Sequence, residues 1–158
     1  MDSKKKFKLV LYAPEIPGNT GSIGRTCVAL GLELILIKPY GFDLSEKAVR
    51  RAGLDYWKHV QIKEFESWSD FLEKEKPKRE QLIFFENNVN QNFYQANYSE
   101  NCYLIFGAET KGLPKEIYEN YFDRMYHLPM FSEHIRSLNL SNAATTAAYE
   151  CLRQLSYS

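Results

Sequence analysis

The sequence predicts an α/β fold, a mostly parallel sheet with helices on both faces, and three observations predict it. Short apolar runs alternate with helix-like segments along the whole chain. The runs are nearly unbroken in Leu, Ile, Val and Phe, as strands covered on both faces are. Proline or glycine marks many of the changes of segment. At 158 residues the chain has the length of one ordinary domain, spanning 1–158.

The elements follow in order. Phe7 to Tyr12 (FKLVLY) reads as a buried strand closed by Pro14. Asn19 to Leu30 reads as a helix ended by Gly31. Glu33 to Lys38 (ELILIK) is a second strand, stopped by Pro39 and Gly41. Ser45 to Ala52 is a short helix with Gly53 behind it. Val60 to Phe65 is a third strand. Ser67 opens a helix with Asp70 as its capping-box partner, running to Lys76 before Pro77. Gln81 to Glu86 (QLIFFE) and Cys102 to Phe106 (CYLIF) are strands. The polar stretch between them, Asn87 to Asn101, is a loop, either a mobile lid or a plain surface connection. Pro114 to Tyr121 is a helix with proline in its first turn. Arg124 to Leu128 is the last strand, and Ser137 to Leu155 the long final helix.

Composition excludes several classes. Hydrophobic residues make up 44% and charged residues 25%, which fits a globular domain and not a disordered, collagenous or coiled-coil chain. No apolar run approaches the roughly 20 residues of a membrane span, and Met1 to Lys6 does not resemble a secretory signal. Twenty basic residues balance twenty acidic ones, which argues against a non-specific polyanion binder. The balance is uneven, however. Residues 1–60 carry a net +4 and residues 61–158 a net −4. Lys4, Lys5, Lys6, Lys8, Arg50 and Arg51 form either a basic surface or a solvated tail and helix face. Cys27, Cys102 and Cys151 are widely spaced and odd in number, and His59, His127 and His134 are scattered. Neither pattern suits a disulfide framework or a metal site, so no metal is expected and a reducing, cytoplasmic setting fits.

In parallel sheets ligands gather at the carboxyl ends of the strands, and there the unusual residues cluster. The first loop spaces Gly18, Gly21 and Gly24 as G-x-x-G-x-x-G. That is neither a dinucleotide fingerprint nor a P-loop. It reads as a tight turn with Asn19 or Thr20 as N-cap, or as backbone laid close to a ligand. Arg25, nearly two turns into the helix, is either a phosphate clamp or a surface arginine. The loop GAETKG, 107–112, carries Glu109 between two glycines. That carboxylate accepts hydrogen bonds from a ligand or matches a helix dipole. Arg136, Ser137, Asn139, Ser141 and Asn142 put five polar side chains into seven residues, more than capping needs. On the final helix, Ala144, Ala147, Ala148, Cys151 and Leu155 share a face small enough for close approach to the core or to a second subunit. Tyr149 and Arg153, four apart, form an RNA-stacking pair or a packing edge.

The segments PEIPGNTGSIGRTC (14–27), FGAETKGLP (106–114) and LPMFSEHIRSLNLSNAATTAAYE (128–150), with Gly41-Phe42 and RRAGLDY (50–56), resemble the SPOUT methyltransferases. Within that class they are similar to the small single-domain tRNA 2′-O-methyltransferases of the wobble nucleotide, the TrmL/YibK-like group. The likeness spans nearly the whole chain. It implies a C-terminal trefoil knot, the α/β knot, which no periodicity could reveal. It implies S-adenosylmethionine as donor and S-adenosylhomocysteine as product, with no metal. The donor would be held largely by backbone at Phe85, Gly107, Leu128, Met130 and Ser137. The implied catalytic set is Arg25, Asn19, Glu109, Ser137 and Asn139. RNA would meet Arg25, Arg51, Tyr149 and Arg153. The partners implied are the anticodon stem-loop of tRNA, read at cytidine or modified uridine 34, and a second copy of the chain in a homodimer, with no membrane. Rival readings are 2′-O-methylation at another position of tRNA or rRNA, and a non-catalytic RNA-binding or assembly factor with the same fold. A nucleotide-binding oxidoreductase lacks its fingerprint.

Overall fold

Seven strands form one all-parallel sheet in the order β3-β2-β1-β6-β4-β7-β5, in a computed structural model that describes residues 6–45 and 56–157. They are β1 (Lys8–Tyr12), β2 (Glu33–Ile37), β3 (Gln61–Phe65), β4 (Leu82–Phe85), β5 (Gln91–Asn92), β6 (Tyr103–Phe106) and β7 (Met125–His127). The helices are α1 (Pro17–Leu30), α2 (Trp68–Glu75), α3 (Lys115–Tyr121) and α4 (Leu140–Ser156). The helix expected over 45–52 lies outside the described residues apart from Ser45.

Strand alternation sorts the apolar residues onto two faces. Leu9, Leu11, Leu34, Leu36, Leu104 and Phe106 face α1 and α4, where Ile23, Cys27, Ala144, Ala147, Ala148 and Cys151 complete one core cluster. Val10, Ile35, Ile37, Phe84 and Ile105 face the other way, against Trp68 and Phe71 of α2 and Ile117 of α3. In-register pairs such as Leu9 with Leu34 and Val10 with Ile35 keep both faces aligned across strands. The small-residue stripe of α4 therefore serves the core, and Thr26 and Thr145 hydroxyls meet at 2.7 Å where α4 passes α1.

Local signals explain the ends. Ser67 Oγ accepts the Asp70 N–H at 3.0 Å, and Lys76 closes α2 in the left-handed region at φ 49°. Gly31 closes α1 at φ 68°. Three features differ from expectation by more than one residue. α1 begins at Pro17, so Asn19 and Thr20 lie inside its first turn and neither is the N-cap. α4 begins at Leu140 with Asn139 as N-cap, three residues later than expected; Arg136 to Leu138 are exposed and outside the helix. The polar stretch 87–101 is not a plain loop. It contributes β5, paired with β7, and buries Val89, Phe93, Ala96 and Tyr98.

Gly24 sits in mid-helix, where glycine is ordinarily unfavourable. A Cβ there would stand 2.7 Å from Trp57 Cζ3 and 3.3 Å from Val60 Cγ2. Gly24→Ala should therefore lose stability by overpacking, by about 1–3 kcal/mol before roughly 1 kcal/mol of improved helix propensity is returned. A lower urea midpoint at unchanged m would register it; a raised midpoint would show that Trp57 yields freely and only the propensity gain remains.

Candidate active site

A cavity of about 500 Å3 opens at the carboxyl ends of β4, β6 and β7, where the first, GAETKG and final-helix segments converge. Phe85, Phe106, Leu128, Leu140 and Ala143 give it an apolar side, and Asn19, Glu86, Glu109, Ser137 and Asn139 a polar one. All five residues expected to hold the donor line it: Phe85, Gly107, Leu128, Met130 and Ser137. So do four of the five expected catalytic residues, Asn19, Glu109, Ser137 and Asn139.

Hydrogen bonds tie the three segments together. Glu109 accepts the backbone N–H groups of Glu15 at 2.8 Å and Ile16 at 2.9 Å. It also accepts Asn19 Nδ2 at 3.1 Å. α1 has no side-chain N-cap of its own, so this carboxylate from a distant loop takes that place and meets the positive end of the helix dipole. Asn19 Oδ1 in turn accepts Asn139 Nδ2 at 3.1 Å. Asn139 Oδ1 accepts Ser141 N and Asn142 N, capping α4. One chain of side chains, Glu109 to Asn19 to Asn139, therefore sets the starts of two helices around the cavity. Glu109→Gln would turn one acceptor oxygen into a donor facing N–H groups. A loss of about 2 kcal/mol is expected, seen as a fall in Tm of about 4–8 °C for a chain of this size.

A reciprocal clamp runs the other way. Glu15 accepts the Thr110 hydroxyl at 2.7 Å, the Thr110 N–H at 3.0 Å and the Lys111 N–H at 3.3 Å. The Thr110 hydroxyl above all holds the Glu15 carboxyl below its ordinary value of 4.5. A carboxylate lowered on folding adds stability above its unfolded pKa and loses it as pH falls through the folded one. The advantage of the wild type over Glu15→Gln should therefore be present at neutral pH and shrink as pH falls below the ordinary value of 4.5, read as Tm against pH. A constant gap down to pH 3 would contradict the clamp.

Glu86, at the end of β4, accepts the Leu113 N–H at 2.7 Å, and burial pushes its carboxyl up from 4.5. Neither Glu15 nor Glu86 was expected as a site residue. Glu86 could have been found from its position at a strand's carboxyl end. Glu15 could not, since its partners are 95 residues away.

Gly107 makes the cavity's tightest turn. Ala108 and Gly112 exchange backbone hydrogen bonds at 3.2 and 2.9 Å. A Cβ on Gly107 would stand 2.3 Å from the Gly112 carbonyl carbon and 2.5 Å from Leu113 N. The Gly107 backbone is thus packed directly on that of Gly112 and Leu113, with no room between them for a side chain.

Three expected RNA contacts lie elsewhere. Arg25 is exposed, does not line the cavity, and stacks its guanidinium over the Tyr56 ring at 5.2 Å. Tyr149 is 51% exposed on α4. Arg153 pairs its fork with Glu150 through two 2.9 Å hydrogen bonds. Arg51 lies outside the described residues. Among the described residues there is no group of three or more His, Cys, Asp or Glu placed to hold a metal.

Residues 6–149 match the model of the SpoU rRNA methylase family. A Saccharophagus degradans protein named tRNA (cytidine(34)-2′-O)-methyltransferase is 42% identical, with 96% of this chain and 97% of its own covered. A solved structure described as giving insights into the 2-OH methylation of C/U34 on tRNA is 41% identical, with a TM-score of 0.88 over 98% of this chain and 99% of its own. The SpoU methyltransferase AviRb from Streptomyces viridochromogenes, in complex with AdoMet, is 24% identical. Its TM-score of 0.82 over 96% of this chain and 58% of its own shows a shared fold.

Proposed function

The chain belongs to the SpoU rRNA methylase family, and from that membership we propose that it transfers a methyl group from S-adenosylmethionine to the ribose 2′-hydroxyl of nucleotide 34 of tRNA. The observation that carries this reading is the convergence of three distant segments on one cavity, in a chain 42% identical over nearly its full length to a protein named for that reaction.

The cavity suits the donor. Its volume of about 500 Å3 falls within the roughly 300–1,000 Å3 of small-molecule sites. The stacked Phe85 and Phe106 rings, 4.7 Å apart, offer a purine a flat apolar wall. The backbone at Gly107 and the polar groups of Ser137 and Asn139, all of which line the cavity, offer hydrogen bonds to the rest of the molecule. When bound, S-adenosylmethionine supplies a methyl carbon made electrophilic by its sulfonium. No metal is required of this chemistry.

The chain's own residues then position and protect. Glu109, Asn19 and Asn139 fix the cavity rim through their mutual hydrogen bonds, which is where alignment between hydroxyl and methyl carbon is won. Ser137 stands exposed at that rim and orients the entering ribose. Arg25, about 9 Å along α1 from Asn19 by helical rise, meets the RNA rather than the donor. A guanidinium keeps its protons at neutral pH, so Arg25 holds a phosphate and presents the hydroxyl, and is not itself the proton acceptor.

The finer points belong to the same proposal. The anticodon stem-loop is the part of tRNA engaged, through Arg25, Arg51, Tyr149 and Arg153. Residues 1–158 act as one domain with a C-terminal trefoil knot. The working form is a homodimer in the cytoplasm, with α4 and the first loop at its interface. Ile16, Phe131, Ile135 and Leu138 are large apolar side chains left exposed, the kind of surface such an interface buries. Among the described residues no helix is long and apolar enough to cross a membrane.

The test is incubation with radiolabelled S-adenosylmethionine and unmodified or native tRNA pools, followed by mapping of the methylated ribose. Label on the 2′-oxygen of nucleotide 34 is expected. Label at another tRNA or rRNA position would redirect the substrate, and binding of donor without transfer to any RNA would favour an assembly factor.

A further inference from the structure

Glu86 is the one charged side chain in the cavity wall that the functional reading leaves without a task, apart from the loop residue Lys111. It follows Phe85 directly, at the end of the apolar strand β4. Glu86 and the Phe85–Phe106 pair line the same cavity, so a nucleoside whose purine lies on those rings brings its ribose into the space that this carboxylate also lines. Its Oε1 accepts the Leu113 N–H at 2.7 Å. A carboxylate has about four lone-pair positions, so capacity remains on the cavity side. Burial is the largest influence on this carboxyl, and backbone N–H groups of Leu113 and Asn87 are what oppose it. A half-buried carboxylate so placed gains from any further donor that a ligand brings.

A ribose brings two adjacent hydroxyls, and an acidic side chain at a strand's end is a known way to read them in other nucleotide-binding sheets. A cation would also be attracted, but the methyl donor's sulfonium lies beyond its ribose, farther from the purine wall. We propose that Glu86 accepts hydrogen bonds from the ribose hydroxyls of the donor nucleoside and thereby selects a ribonucleoside over its deoxy counterpart. This rests on the methyl-donor reading of the cavity.

The measurement is calorimetric binding of S-adenosylhomocysteine and of its 2′,3′-dideoxyadenosyl counterpart to the wild type, Glu86→Gln and Glu86→Ala. The wild type should prefer the hydroxylated ligand by about tenfold or more. Glu86→Ala should weaken S-adenosylhomocysteine by about tenfold while scarcely changing the dideoxy ligand, so that the preference collapses. Glu86→Gln keeps an oxygen for Leu113 N–H and so leaves the loop in place; its preference should fall between the two. Equal weakening of both ligands would show that Glu86 only holds Leu113, and an unchanged preference would show that the diol is read elsewhere. Either result overturns the inference. A wild type that binds both ligands without preference overturns it too, and leaves the donor site standing. A wild type that binds neither removes the donor reading, and this inference with it.

Discussion

Gly107→Ala is expected to raise the Kd for S-adenosylhomocysteine by at least about 100-fold, a loss near 2.7 kcal/mol, and to leave a folded but inactive protein. A methyl group at this position would lie 2.3 Å from the Gly112 carbonyl carbon and 2.5 Å from Leu113 N, distances at which atoms cannot coexist. The neighbours are backbone, so no side chain can swing aside. Relief requires the 107–113 turn to open, and its opening breaks the paired hydrogen bonds of Ala108 and Gly112. It also withdraws Leu113 N–H from Glu86 and Thr110 and Lys111 from Glu15. The sheet itself is held by clusters on both faces to which this turn contributes only Leu113, so collapse of the site need not unfold the chain. Calorimetry for binding and circular dichroism for folding separate the two effects. Wild-type affinity in Gly107→Ala would mean that the turn is not part of the donor site.

The pattern that sequence exposes and the pattern it hides have different physical origins. β1, β2, β4 and β6 are legible because strands buried on both faces must be apolar at every position, and α2 because Ser67, Asp70 and Pro77 act within a few residues of each other. The two-residue strand β5 is too short for any periodicity, and the buried Phe93 and Tyr98 beside it are scattered among Asn and Gln. The start of α4 is ambiguous because Asn139 caps it locally, but Ser137 and Ser141 are capping residues by type as well. The start of α1 is hidden for another reason: the carboxylate that meets it, Glu109, is 93 residues away, a partner that local capping rules do not contain. Glu109 shows the same limit from the other side. Its expected alternatives were a ligand contact and a dipole-matching acid; it lines the cavity and also matches a dipole, that of α1 and not of the helix that follows it. The donor-site residues are implied by family resemblance alone, because backbone contacts to a ligand impose almost no side-chain pattern that spacing could reveal.

Arg25→Ala is expected to reduce methyl transfer by about 100-fold or more while changing the Kd for S-adenosylhomocysteine by less than about threefold. The separation follows from position. Arg25 stands outside the cavity, exposed on α1, and none of the bonds that join Glu109, Asn19 and Asn139 pass through it. Its guanidinium is held over the Tyr56 ring, and the Tyr56 hydroxyl donates to the Gly21 carbonyl at 3.3 Å. The cation is therefore presented in a fixed direction, on the same helix whose first turn forms the cavity rim. A fixed fork can grip a phosphate bidentately and hold the adjoining ribose in line, which is worth most in the transition state. Arg25→Lys keeps the charge but loses the planar fork and its stacking, so it should recover RNA affinity more than it recovers turnover. Single-turnover rates with tRNA, set beside calorimetric donor binding, measure both halves of the expectation. Loss of donor binding in Arg25→Ala would place this side chain in the cavity machinery instead. Full activity in Arg25→Lys would reduce its part to simple charge attraction.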